Sequence, residues 1–508
     1  MNLLFEVSWC SWWFKIKMTT RYIACDLGAE SGRVVLGTIE NGQLSLQEIH
    51  RFPTGAFVFG DSLRWNLPQI FAELKIGVRK AAQIAPDFQS LSFDSWGVDY
   101  ILINSGEPMI GLPFHYRDAR NEIAQRRVLE LLGRDAIFSE TGLQFLDFNT
   151  IYQLSAHQKS QPELLRAADK FLTIADYLAW LFCGRAAIEV SLASTTQLYN
   201  PQTRTWSDSL IEKLDLPHDI FPEIVASGTV LGVVKPQIAR ELGLRDGVQV
   251  LATCSHDTGA AVAAVPAVNE NWAYLSSGTW SLLGVELENP IINDAVLAAD
   301  FTNEIGYGHS VRFLKNIVGL WIVQECRRSW AQEGIEYSYG DLTQMAREAD
   351  GFQCFIRPDD ARFGKPDNMP QKIQDFCRET EQPIPQTAGE IIRCVLESLA
   401  LLYGETLSIL RELTGKNIET LHIVGGGSQN TLLNELAANA TGVRVLAGPV
   451  EATAIGNIGI QAIALGHLKN LDAMREVVRR SFEVQEYTPS NDAAWQVARE
   501  RFAKINHR

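Results

Sequence analysis

Two short stretches hold most of the chemistry open to this chain. The octet Asp26-Leu27-Gly28-Ala29-Glu30-Ser31-Gly32-Arg33 lies between apolar runs at 22–25 and 34–37. Runs this short, bounded by glycine, are expected as strands, so the octet reads as the turn of a hairpin. Its two glycines are free to take backbone angles that other residues avoid, and successive N–H groups in such a turn can converge on an anion. Ser31 adds a hydroxyl and Arg33 a fixed charge. Asp26 is a carboxylate of the kind that meets a phosphate across a magnesium ion. The turn suits a nucleotide triphosphate, with an ordinary decorated hairpin as the alternative, since short glycine motifs recur by chance. The second stretch, Ser255-His256-Asp257-Thr258-Gly259, follows an apolar run at 248–253 and precedes the small residues Ala260, Ala261, Ala263 and Ala264. Local sequence favours Asp257 as a helix cap. The alternative is a base flanked by polar groups. His256 taken alone reads as a satisfied core histidine.

The elements around these stretches alternate in type. Asn41-Gly42 is a two-residue turn signal, and Leu44, Leu46 and Ile49 mark a third strand of an antiparallel meander. Leu67, Ile70, Phe71, Leu74, Val78 and Ala81 fall on one helical face, with Pro68 suited to the first turn and Pro86 ending the helix. Runs at 90–93 and 98–103 read as strands around Asp94-Ser95-Trp96-Gly97. The pattern is α/β. Residues 120–220 look largely helical. Tyr116-Arg117-Asp118-Ala119-Arg120 is expected as a solvated turn, with a polar lining for a sugar as the alternative. The unit strand, polar glycine turn, strand then recurs at 272–275, 276–279 and 280–285. This implies a weak internal duplication and a second lobe beginning near residue 260. Thr387 and Glu390 predict a capping box for a long helix through Ile391, Val395, Leu399 and Leu402, closed by Gly415. A strand at 421–424, then Gly425-Gly426-Gly427-Ser428-Gln429-Asn430 and a helix through Leu433 and Leu436, offer backbone to a phosphate or adenosine.

The bulk properties narrow the class. The chain has 508 residues, too many for a single core. Its formal net charge is −15, the wrong sign for a general nucleic-acid binder, and no basic stripe is visible. Eight cysteines are present without a C-x-x-C pair or histidines at zinc spacing, so they read as buried thiols of a reducing compartment. Residues 1–17 hold three of the twelve tryptophans but lack the layout of a signal peptide. They are expected to be a non-native or disordered extension, with Met18 as the true start. No run approaches the ~20 apolar residues of a membrane span.

In order along the chain stand DLGAESGR at 26–33, DSWGVD at 94–99, GLPFHYRDAR at 111–120, SHDT at 255–258, YLSSGTWSL at 274–282, LKNIVGLW at 314–321, LHIVGGGSQN at 421–430 and AGPVEATAIGNIGIQ at 447–461. Together these words resemble the FGGY family of carbohydrate kinases, within the sugar kinase/Hsp70/actin superfamily, from residue 18 to about residue 490. The resemblance implies two RNase H-like lobes, 18–258 and 259–490, with a catalytic cleft between them and a C-terminal helix or tail at 491–508. It implies a cytoplasmic enzyme, monomeric or a weak homo-oligomer, that moves the γ-phosphate of ATP to the 1-hydroxyl of L-rhamnulose with Mg2+. Carried over by position, Asp257 is the catalytic base. Ala29, Glu30, Ser31, Gly32 and Arg33 hold the ATP phosphates with Thr279, while Gln324 and Gly426 contact the nucleotide. Gly97, His256, Thr258 and Asn316 contact the sugar, and Asp26 stands near magnesium, through water. Glu30 departs from the serine or threonine of many members. Its carboxylate would repel a triphosphate, so it is expected to give at most its backbone N–H.

Three rivals stay open at this point. One is a kinase for another ketose, such as L-fuculose or xylulose. A nicotinamide dehydrogenase is suggested by Gly425-x-Gly427-x-x-Asn430 with Glu451 about twenty residues on, although the third glycine is missing. A chaperone-like ATPase would need a peptide-binding domain, for which the roughly fifty residues after Asn457 are too few.

Overall fold

The computed structural model describes residues 19–105, 108, 110–490 and 493–505. The expectations for residues 1–17 and for Met18 lie outside that range.

Two mixed sheets organise the chain. The first is built from Thr20–Leu27 (β1), Ser31–Glu40 (β2), Gln43–Pro53 (β3), Ser90–Ser95 (β4), Thr229–Val233 (β5) and Gln249–Ala252 (β6), in the order β5-β6-β4-β1-β2-β3. The second takes Trp272–Ser277 (β7), Trp280–Leu287 (β8), Thr302–Ile305 (β9), Val311–Val318 (β10), Thr420–Val424 (β11), Arg444–Ala447 (β12) and Gln485–Tyr487 (β13), in the order β9-β10-β8-β7-β11-β12-β13. Each contains an antiparallel meander, β1-β2-β3 or β7-β8-β10. Each meander is extended on the inner side by two parallel strands and one antiparallel edge strand. The duplication read from two glycine turns therefore extends through both sheets. β1 and β7 are buried almost throughout because each is central, covered on both faces, and paired with a parallel neighbour.

Helices cover the sheets. Leu67–Ile84 (α1) has Pro at its start and buries Leu67, Ile70, Leu74, Val78 and Ala81, as its periodicity requires. Asp257–Ala263 (α2) and Ala452–Ala464 (α6) form a close pair between the sheets, with Trp321–Gln332 (α3), Ala388–Thr414 (α4) and Thr431–Thr441 (α5) on the second lobe. The small residues of α2 have a reason here. A Cβ on Gly456 of α6 would come within 1.9 Å of the carbonyl oxygen of Ala260, so the two backbones touch. Around this pair, one apolar cluster joins Tyr22, Ala24 and Val35 of the first sheet to Tyr274, Leu314 and Val424 of the second. α4 carries the capping box at Thr387 and Glu390 and closes on Gly415 in the left-handed region, as read. A further helix, Ala493–Ala503, follows the second sheet. No helix among the described residues is long and apolar enough to cross a membrane.

Some expectations need correction. The loop between β1 and β2 is only Gly28-Ala29-Glu30, because Asp26, Leu27 and Ser31 to Arg33 are paired strand residues. Neither Gly28 nor Gly32 takes a left-handed backbone angle. A Cβ on Gly32 would meet the ring of Phe52 at 2.5 Å, so packing is the reason for glycine there. Tyr116-Arg117-Asp118-Ala119-Arg120 is not a solvated turn. Tyr116 and Asp118 are buried, Asp118 accepts from the N–H of Leu63 (2.8 Å), and the Arg120 guanidinium lies 3.2 Å from the ring centroid of Phe114. Three charges in five residues misled because Arg117 and Asp118 find partners in distant segments, at the Gly364 carbonyl and the Leu63 N–H, while Arg120 stacks on the nearby Phe114 ring. Residues 120–220 are helical in large part, with short strands between the helices.

Candidate active site

A cavity of about 310 Å³ lies between the lobes, walled by both sheets' glycine turns. Ala29, Gly97, His256, Asp257, Thr258, Thr279, Asn316 and Gly426 all line it. Asp257 begins α2, which starts directly after β6, so the chain order strand, turn, helix delivers the carboxylate to the cavity. The helix cap itself is His256, not Asp257. Asp257 Oδ1 accepts from Thr258 N (2.5 Å) and Thr258 Oγ1 (3.1 Å), and the side chain keeps 32% of its surface open to the cavity. Burial pushes its carboxyl above the ordinary 3.8. The His256 ring opposes that shift, and the charge of Asp26 adds to it.

Behind the base stands a buried polar chain. Arg312 Nη2 donates to His256 Nδ1 (2.9 Å) and pairs with Glu304 Oε2 (3.0 Å). A guanidinium only donates, so Nδ1 accepts and the proton of the neutral ring sits on Nε2, 3.5 Å from Asp257 Oδ1. Burial raises the Glu304 carboxyl, but the Arg312 charge outweighs it and holds the group down at about 2. His256 is therefore a positioned ring, not merely a satisfied core residue. Asn316 is fixed by Gln144, whose Oε1 accepts from both its backbone N (3.0 Å) and its Nδ2 (3.1 Å).

Asp26 sits opposite Asp94 in the parallel register of β1 and β4. Burial, then the charge of Asp26, drives the Asp94 carboxyl well above its ordinary value. Asn457 of α6 donates to Asp94 Oδ2 (2.6 Å). Arg33 is gripped between Asp26 and Glu451 and, like Asp26, Glu30, Ser31 and Gly32, does not line the cavity. The Ser31 hydroxyl accepts from Arg51 Nη1 (3.4 Å). The Glu30 carboxylate faces Arg328 Nη2 of α3 at 3.6 Å.

A second cavity of about 610 Å³ adjoins the first, sharing Gly278 and Gly426 with it. Gln324 lines it, and its Oε1 is buried without a hydrogen-bond partner. The two glycine turns of this lobe touch, since a Cβ on Gly427 would lie 2.0 Å from Ser277 Oγ. Gly425 has φ +85°, an angle that glycine supplies without strain. The Gly425 stretch opens into a 3-10 turn, Gly426–Gln429, before α5 begins at Thr431 with Asn430 as its cap.

Residues 21–264 match the profile of the FGGY family of carbohydrate kinases, N-terminal domain, and residues 273–465 match its C-terminal domain. The chain belongs to the FGGY family of carbohydrate kinases. It is therefore a phosphotransferase. It is 39% identical over 481 residues to a protein named Rhamnulokinase from Bacteroides thetaiotaomicron, covering 95% of this chain and 98% of that one. It is 42% identical over 472 residues to a Rhamnulokinase from Pectobacterium atrosepticum, covering 92% of each. Among solved structures, a ligand-bound xylulose kinase from Lactobacillus acidophilus superposes with TM-score 0.80 at 16% identity, over 96% of this chain and 97% of that chain. Plasmodium falciparum glycerol kinase with ADP does so with TM-score 0.75 at 14% identity, over 96% of each. At those identities the likeness is one of fold. The dehydrogenase and chaperone readings fall with the family membership.

Sequence reasoning missed several residues that shape the site. Asp94 opens the motif DSWGVD, three residues before Gly97. Gln144, Glu304 and Arg312 carried no local signal, since none lies in a motif whose spacing implies chemistry. Val98 is another. It has φ +69°, rare for a β-branched residue, and is held there by Thr195 Oγ1 on its N–H (3.2 Å) and Thr150 Oγ1 on its carbonyl (2.6 Å).

Proposed function

We propose that this chain transfers the γ-phosphate of ATP to the 1-hydroxyl of L-rhamnulose, giving L-rhamnulose 1-phosphate and ADP. The name shared by the relatives supports the sugar. The observation that carries the chemistry is Asp257 at the cavity that adjoins a second one through Gly278 and Gly426. In this reading the ketose fills the first cavity, and the nucleotide fills the second and reaches between the glycine turns.

Asp257 Oδ1 is occupied by Thr258, which leaves Oδ2 to accept the 1-hydroxyl proton. As that proton passes to Asp257, the freed oxygen bonds to the γ-phosphorus and the bond to the ADP oxygen breaks. The transition state is loose, so alignment and neutralisation of charge matter more than base strength. The turns at Ala29 and Thr279 suit phosphate oxygens through preorganised donors. The orphan Gln324 Oε1 matches an exocyclic amine of adenine, a donor it otherwise lacks. Trp96, Phe148 and Trp280 line the sugar cavity and shield the transfer from water. Asp26 is a hard oxygen donor that would hold Mg2+ through water, since it pairs with Arg33 and does not itself line the cavity. When bound there, the ion supplies charge neutralisation to the phosphates.

The test is ADP release with ATP, Mg2+ and a panel of ketoses. L-rhamnulose is expected to exceed L-fuculose and xylulose, and the reverse ranking rejects the sugar assignment. Asp257→Asn is expected to lower turnover by ~10²-fold or more with ATP binding largely kept. Normal turnover in that variant would remove Asp257 as the base.

A further inference from the structure

A third cavity, of about 320 Å³, shares no residue with the two already described and is close in size to the one that holds Asp257. One wall comes from the turn between the short strands Tyr199–Asn200 and Thr205–Trp206, which supplies Tyr199 and Arg204. The other comes from the second sheet, where Glu288 and Asn289 follow β8 and His309 lies in the turn between β9 and β10. Tyr199 is 1% exposed, yet its hydroxyl has no hydrogen-bond partner, and neither has the buried Nδ1 of His309. Buried polar atoms ordinarily find partners, so both mark places for a partner from outside the chain. Burial pushes the Tyr199 hydroxyl up to about 12, with the Arg204 charge opposing that shift, so the group keeps its proton and can donate.

We infer that this cavity binds a neutral monosaccharide and that its occupancy acts on the base. The wall carries one charge of each sign, Arg204 and Glu288, so no net charge is left to hold a phosphate. A sugar hydroxyl both donates and accepts, and the wall answers in kind. The Arg204 guanidinium only donates, the Glu288 carboxylate only accepts, and the Asn289 amide does both. Pro201, Pro290, Ile305 and Val311 present apolar surface to the C–H face of a sugar ring. The link to the base is one rung of a hairpin. Ile305 and Val311 are register partners at the end of β9 and β10, and the next pair along is Glu304 and Arg312, the pair behind His256. A ring packed on Ile305 and Val311 steadies that rung. Only this link rests on the role proposed for Asp257; the binding does not.

Equilibrium dialysis of the full chain without ATP, against L-rhamnulose and against L-rhamnose, reads the sugars bound per chain. Wild type is expected to bind one sugar more than a variant carrying both Arg204→Gln and Glu288→Gln, two exposed positions outside the core. Tyr199→Phe, which removes only the unpartnered hydroxyl, is expected to weaken the extra site by about fivefold or more. Equal stoichiometry in wild type and the double variant overturns the site. Inorganic phosphate is dialysed in parallel and is expected not to bind there. Phosphate bound by wild type and lost in the double variant, with no sugar bound, overturns the neutral class. Turnover at saturating ketose is expected to be at least about twofold higher in wild type than in the double variant, and equal turnover overturns the link to the base. Should another ketose prove to be the phosphoryl acceptor, stoichiometry is read with that ketose, so failure of the acceptor assignment and failure of this site are separate results.

Discussion

Arg312 Nη2 donates to His256 Nδ1 over 2.9 Å, and this bond decides which ring nitrogen faces Asp257. Arg312 has no exposed surface, and its carboxylate partner, Glu304, is almost fully buried too. The chain Glu304, Arg312, His256, Asp257 thus runs from the second sheet to the base of α2, across the boundary between lobes. It makes Arg312 a positioning residue for a base it does not touch.

Removing that guanidinium strands a buried carboxylate. Arg312→Met is expected to cost about 3–5 kcal/mol of stability, read from denaturant midpoints. Glu304→Gln combined with Arg312→Met should cost less than Arg312→Met alone, because no charge is left unpaired. A double variant as unstable as the two single losses added together would show that the pair is not coupled.

The pH dependence of stability should report Glu304. Its carboxyl falls from 4.5 to about 2 in the folded chain, where Arg312 outweighs the cost of burial. A group depressed in this way stabilises fully above the unfolded value and loses that effect as pH falls through the folded one. The shift corresponds to roughly 3 kcal/mol. The stability difference between wild type and Glu304→Gln should be constant from pH 7 to about 4.5 and shrink below it. A constant difference down to pH 3 would contradict the assignment.

Gly456 sets the distance between α6 and α2. Gly456→Ala places a methyl group where the Ala260 carbonyl stands, 1.9 Å away, so one helix must move. The expected destabilisation is about 1–3 kcal/mol. Because α2 begins at Asp257, turnover should fall more than the KM for ATP rises. Unchanged stability and turnover would mean that the helices separate freely.

Glu30 is expected to matter little. Its side chain is 56% exposed and turned to Arg328, itself 51% exposed, so the pair is worth well under ~1 kcal/mol. Glu30→Ala should change the KM for ATP by less than about threefold. A tenfold loss of ATP affinity would place the carboxylate at the nucleotide after all.

Much of the site was legible because its backbone supports are local. Gly425 and the α2 start are written as strand, small polar residues, helix, and the 276–279 turn as strand, glycine turn, strand; such patterns need only neighbours in sequence. Gly28 was legible as a turn residue. Gly32 was misjudged, because the Phe52 ring that excludes a side chain there comes from β3. The cluster at 116–120 was misjudged for the same kind of reason, since the Leu63 N–H and the Gly364 carbonyl, both distant in sequence, hold the Asp118 and Arg117 side chains.

The sequence by itself determined the α/β alternation, the two glycine turns, the long capped helix and the candidate acid at 257, since each depends on periodicity or spacing within one segment. Only the tertiary structure decided that Arg33 is spent on Asp26 and Glu451, that Asp94 shares a register with Asp26, and that Arg312 orients His256. Those outcomes depend on which strands pair and which helices cross. Burial then sets the strength of each charge, and no single segment encodes it.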